Sequence, residues 1–119
     1  MIALALAACA GEDPAPTLTQ VQDEVLTPSC AFSTCHASPG ASGLVLDPGA
    51  SWDALVDAES IDNPGQVFVV PGDSEASYLV HKLRGDDGIV GFQMPAAAPV
   101  SADQLQLVID WIDAGALDD

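Results

Sequence analysis

Two thiols and an imidazole fall within one short stretch, Cys30-Ala31-Phe32-Ser33-Thr34-Cys35-His36, the only such concentration of soft ligands in the 119-residue chain. A cysteine followed directly by a histidine has a specific chemical use. In the C-x-x-C-H signature two cysteines form thioethers with the vinyl groups of a porphyrin, and the adjacent histidine becomes the proximal iron ligand. Here the spacing is C-x-x-x-x-C-H. The extra residues leave Cys35 and His36 adjacent, so the imidazole would still lie under the iron once Cys35 is anchored. They lower the motif's specificity, and plainer chemistry competes with it. A Cys30–Cys35 disulfide would suit an exported protein. Residues five apart in a regular helix are roughly 8 to 9 Å apart at Cα, so that bridge needs a loop or broken turn, which Pro28 and Pro39-Gly40 allow. Zinc held by Cys30, Cys35, His36 and His81 would bring its fourth ligand from afar and lacks the paired spacing of structural zinc sites.

A haem iron of this kind takes a second axial ligand, and Gln93-Met94-Pro95 supplies a thioether 58 residues after His36. Alone, Met94 would read as a buried gap-filler. Paired with Cys35-His36 and followed by Pro95, which stiffens the loop presenting the sulfur, ligation is the better reading. With these residues in this order, the chain from Leu18 to Ala116 resembles the small cytochrome c domains, in particular the cytochrome c-like lipoproteins of bacterial envelopes. The resemblance rests on Thr27-Pro28-Ser29-Cys30, Cys35-His36, Gly43-Leu44-Val45-Leu46, Pro71-Gly72-Asp73 leading into Ser77-Tyr78-Leu79, Met94-Pro95 and Trp111-Ile112-Asp113-Ala114-Gly115-Ala116. It implies an all-α domain of about four helices around one covalent haem c, with long loops. It further implies haem bonded through Cys30 and Cys35, iron held by His36 and Met94, and a last helix that crosses the first. In such domains a backbone carbonyl near Leu44-Val45-Leu46 accepts the proximal imidazole Nδ1–H, a contact that ligating histidines generally need. His81 ranks second to Met94 as distal ligand, because a lone histidine on a helix is more often a surface or capping residue.

Residues 1–8 are apolar and uncharged, too short to span a bilayer, which takes about 20 residues. They read as a signal-peptide remnant, and Leu6-Ala7-Ala8-Cys9 resembles the lipobox of bacterial lipoproteins. The basic n-region of a signal peptide is missing, so this reading expects translation to begin upstream. Processing would make Cys9 a lipidated N-terminus, anchoring the protein to a membrane with the domain in the cell envelope, facing the periplasm or the cell surface. Residues 9–18 carry Pro14 and Pro16 without apolar periodicity, which is the composition of a tether. The domain proper is expected over 19–117. The cysteines then divide into one for lipid and two for haem.

The elements that would position these groups follow from pattern. A first helix is expected from Thr19 as N-cap to Leu26, with Leu18, Val21, Val25 and Leu26 apolar and Pro28 ending it. A short helix from Pro48 to Val56, capped by Asp47, would turn Trp52, Leu55 and Val56 to one side, Trp52 as core packing. Val67-Phe68-Val69-Val70 reads locally as a strand but has no second strand to pair with. Asp73 is expected to cap a helix from Ser74 to Leu83. Asp86 to Val100 is a Gly-, Pro- and Ala-rich loop able to lie over a porphyrin face. Ser101-Ala102-Asp103-Gln104 is a capping box, and Leu105, Val108, Ile109 and Ile112 give the last helix one apolar face that ends at Gly115.

Eighteen acidic residues face only two cations, for a net charge of −16. That excludes nucleic acid and anionic lipid surfaces as partners and suits redox partner proteins with basic docking surfaces. The two cations, Lys82 and Arg84, close one helix. They can complement its dipole, and Arg84 can also offset a haem propionate; the two readings are compatible. No nucleophile–base pair or phosphate-binding loop stands out, so an electron carrier is expected rather than an enzyme. Peroxide reduction would need an open distal position, at odds with Met94 as a ligand. The competing class is a haemless structural or interaction module that keeps the fold and a Cys30–Cys35 disulfide.

Overall fold

The computed structural model describes residues 15–30, 44–95 and 98–119; within them the chain forms four helices and no strand. The first, α1, runs from Leu18–Val21 through a π-helical stretch, Gln22–Leu26, into Thr27–Ser29. Its cap is Thr17, two residues before the expected one. The Thr17 hydroxyl accepts from the Gln20 amide N–H at 3.1 Å, and the Gln20 side-chain oxygen accepts from the Thr17 N–H at 2.9 Å. Thr-x-x-Gln is itself a capping box, so the reciprocal pair decides the start. Thr19 instead donates to the Asp119 carbonyl at 3.0 Å.

Pro28 does not end α1. A proline inside a helix removes the N–H that would reach the carbonyl four residues back, here that of Glu24. The preceding turn is widened, with the Thr27 N–H reaching Gln22, and the Glu24 carbonyl accepts from the Gln104 side-chain amide at 2.9 Å. The carbonyl that Pro28 frees is therefore capped from the last helix, and α1 continues to Ser29.

That last helix follows the sequence pattern at its start. Both halves of the Ser101/Gln104 box form, at 3.1 and 2.8 Å. Its apolar face brings Val108, Trp111 and Ile112 into the core with Val21, Val25 and Leu26 of α1. Calling it α4, Ala102–Asp113, the expected contact of first and last helices is present. Trp111 is only 1% exposed, its indole N–H donating to the Leu117 carbonyl at 3.0 Å. Trp52 is half-buried and donates to the Ala116 carbonyl, so the C-terminal residues cover it.

Helix α2, Ser51–Leu55, is shorter than expected. Gly49 takes a left-handed φ of +85°, so residues 48–50 form a turn whose following N–H groups, of Ala50 and Ser51, both reach the Asp47 carbonyl. Buried Gln22 links α1 to this region, donating to the Leu46 carbonyl at 2.8 Å and accepting from the Ser51 hydroxyl at 2.6 Å.

The helix expected over 74–83 is divided. Asp73 caps a single 3-10 turn, Ser74–Ala76, and α3 begins only at Tyr78, spanning Tyr78–Arg84. Between them, fully buried Ser77 accepts from the Val70 N–H and donates to the Asp73 carbonyl, both at 2.8 Å. A serine hydroxyl that binds backbone in this way competes with helix continuation. Val67–Val70 forms no strand and makes only isolated bridges, Val56 to Val69 and Glu59 to Val67. Its carbonyls serve α3 instead: those of Val67 and Phe68 accept from the Tyr78 and Leu79 N–H groups at 2.8 and 2.9 Å.

Gln104 serves two helices, so its replacement tests this arrangement. Gln104→Ala removes half of the α4 cap and the donor to Glu24, and is expected to cost about 1–2 kcal/mol by urea denaturation. Gln106→Ala, which removes only an exposed contact to Asp110, should cost about 0.5 kcal/mol or less.

Candidate cofactor site

The last carbonyls of any helix lack partners within it. In α3 they are met by the loop that carries Met94. The Met94 N–H donates to the Lys82 carbonyl at 2.9 Å, and the Gln93 side-chain amide donates to the Leu83 carbonyl at 2.8 Å. Gly85, at a left-handed φ of 75°, turns the chain away beneath Gln93. The Lys82 ammonium donates to the carbonyls of Val90 and Phe92, and the Tyr78 hydroxyl accepts from the Val90 N–H at 2.9 Å. The loop is thereby held against one helix from Val90 to Met94.

Met94, so placed, lines a largely apolar cavity of about 430 Å³. Leu44, Leu46, Phe68, Leu79 and Leu83 form apolar wall, and Cys30, at the end of α1, is also on it. Two of the sequence-predicted residues, 64 positions apart, are thus brought to one cavity. Cys9, Cys35 and His36 lie outside the described residues. A second cavity of about 420 Å³, between α1, α2 and the C-terminus, is lined by Asp23, Asp53, Asp118 and Asp119 and holds none of the predicted ligands. Among the described residues no group of three His, Cys, Asp or Glu side chains is placed to hold a metal ion, and no helix is long and apolar enough to cross a membrane.

Arg84 and His81 lie off the cavity wall, in an ionic cluster on the other side of α3. Arg84 pairs with Asp86 at 2.7 Å and with Glu75 at 3.2 Å. Those two carboxylates raise the guanidinium pKa, and the Arg84 hydrogen bond in turn lowers that of Glu75. Asp86 is lowered from 3.8 to about 2, first by its hydrogen bond from Arg84 and then by that from His81. His81 meets Asp86 through Nδ1 at 2.6 Å and the Glu75 carbonyl through Nε2 at 2.7 Å. Both partners accept, so the two bonds form together only when the ring carries both protons. Both ring nitrogens of His81 are thus engaged, and of His81 and Met94 only Met94 lines the cavity.

Lys82, not Arg84, is the cation at the cavity, and its ammonium is engaged by the loop carbonyls. Sequence reasoning placed both cations at the helix end but not on opposite sides of it. Tyr78, whose hydroxyl accepts from the Val90 N–H, carries no local signal of that contact. A helical wheel separates Lys82 from Arg84; nothing in the sequence says which loop would return to Lys82.

Folding holds Asp86 below its ordinary value, so protonation favours the unfolded chain. The cluster's contribution to stability is intact above about pH 4 and is lost as the pH falls towards 2. A carboxyl-carbon NMR titration should find the Asp86 midpoint near 2, and Arg84→Met should return it towards about 4. Gly85→Ala places a Cβ 2.8 Å from the Gln93 amide carbon at a strained φ. It is expected to cost about 1 kcal/mol or more and to speed hydrogen exchange at the Met94 amide. Comparison with known proteins finds no matching family model, curated protein or solved structure.

Proposed function

We propose that this protein is a monohaem c-type cytochrome, an electron-transfer lipoprotein of the cell envelope. The observation that carries this reading is the apolar cavity whose wall bears both Cys30 and Met94. A thiol and a thioether on an apolar wall suit a porphyrin: the first can attach it, the second can ligate its iron, and the leucine and phenylalanine side chains can exclude water from its faces. Cys35-His36 would complete the attachment and the proximal ligation. Bound there, a haem supplies a one-electron redox centre whose potential the methionine raises.

This chain's residues then have definable tasks. The Met94 N–H bond to Lys82 and the Gln93 bond to Leu83 hold the sulfur's backbone at the cavity. Tyr78 and Lys82 hold the preceding peptide units, so the thioether would meet iron without first ordering a loop. Lys82 is also the cation nearest a propionate bound at the cavity edge, whereas Arg84 already pairs with two carboxylates. Cys9 would bear the lipid.

The test is expression with a haem c maturation system, dithionite reduction and denaturation in pyridine. A c-type pyridine haemochrome that stays with the chain through denaturing electrophoresis is expected. Met94→Leu should lower the midpoint potential, with His81→Ala leaving it unchanged. A colourless folded protein whose Cys30 and Cys35 resist alkylation until reductant is added would overturn the reading in favour of the haemless disulfide module.

A further inference from the structure

Among the described residues, four large apolar side chains are exposed: Ile61 at 91%, Phe92 at 78%, Leu117 at 60% and Val90 at 44%. Two of them, Ile61 and Val90, line the same cavity, and Phe92 lies two residues beyond Val90, its carbonyl held by the Lys82 ammonium that also holds that of Val90. The two loops involved are joined, because the Asn63 side-chain amide donates to the Gly88 carbonyl at 3.2 Å. Single exposed apolar residues are ordinary on a protein surface; a joined group around a cavity mouth is not.

The charges around that mouth are one-sided. Glu59 and Asp62 line the cavity, and Asp87 is exposed beside Gly88. Of the chain's two cations only Lys82 lines the cavity, and its single charge leaves the acidic side chains in excess; Arg84 is paired with Glu75 and Asp86. A second copy of the chain is disfavoured as occupant, since each would bring a net charge of −16.

We infer that the rim formed by Ile61, Val90 and Phe92, flanked by Glu59, Asp62 and Asp87, docks a partner protein that presents lysine or arginine side chains around an apolar centre. This rests on the reading of the cavity as the cofactor site and names the partner's chemistry there. The apolar side chains supply contact area and the carboxylates supply orientation and encounter rate.

An NMR titration of the ¹⁵N-labelled full chain, matured and reduced, tests it with the peptide Lys-Lys-Leu-Leu-Lys-Lys against hexalysine. Amide shifts confined to residues 59–65 and 87–92 are expected, with hexalysine binding about tenfold more weakly for want of the apolar contact. Ile61→Ser with Phe92→Ser changes only exposed side chains and should reduce the peptide's affinity to that of hexalysine. Glu59→Gln with Asp62→Asn should weaken the salt dependence of binding. Shifts centred on Asp23, Asp53 and Asp118, equal affinity for both peptides, or self-association through Ile61 and Phe92 would each overturn the inference. A haemless chain that shows the expected shifts removes the cofactor reading and leaves the docking surface; a haem-bearing chain without them removes the docking surface alone.

Discussion

The packing of α1 against α4 is the interaction on which the other contacts depend. Val21, Val25, Leu26, Val108, Trp111 and Ile112 are all essentially removed from solvent. Each such side chain contributes about 1.5–3 kcal/mol on burial, more than the roughly 1 kcal/mol of a typical neutral hydrogen bond. The polar contacts around this seam then act as locators. Gln104 joins the two helices at Glu24, Gln22 ties α1 to Leu46 and Ser51, and Asp119 reaches back to the Leu18 N–H at 3.0 Å. Pro28 is accommodated for the same reason: a helix held along one face can widen by a turn where an isolated one would stop.

Helix α3 does for the cavity what α1 and α4 do for the core. Its first N–H groups are met by Val67 and Phe68, and its last carbonyls by Gln93 and Met94. Both of its ends thus carry tertiary structure, and the Met94 loop gains order from carbonyls that every helix leaves over. The two cations of the chain fall in its last turn, where the helix dipole favours positive charge. One holds the loop at the cavity, and the other gathers Glu75 and Asp86 on the opposite side. In a chain with eighteen acids, that leaves the cavity lined by more carboxylates than cations, with Ile61 and Val90 exposed beside them among the described residues.

Much of this was legible in the residues and some was not. The Ser101/Gln104 box and the apolar face of α4 follow from local pattern, because capping and amphipathicity are decided within a few residues. The start of α1 was misplaced between two threonines, since Thr17 and Thr19 have the same chemistry and only the reciprocal bond with Gln20 separates them. The division at Ser77 escaped the pattern, because a serine inside a helical periodicity gives no sign that its hydroxyl will be taken by Val70. For the candidate site, the cysteine–histidine pair and the methionine could be picked out by type and order.

The sequence by itself determined the candidate ligand types, the approximate places of the helices, the apolar face of the last one and the excess of negative charge, all of which depend on residue identity and short-range spacing. Only the tertiary structure decided that Cys30 and Met94 share one cavity, that Lys82 faces it while Arg84 and His81 face away, and that Ile61 stands beside Val90 at its mouth. The physical reason is that these relations join distant segments, Cys30 with Met94 across 64 residues and Ile61 with Val90 across 29, and burial and leftover hydrogen-bonding capacity, which local pattern does not encode, select which segments meet.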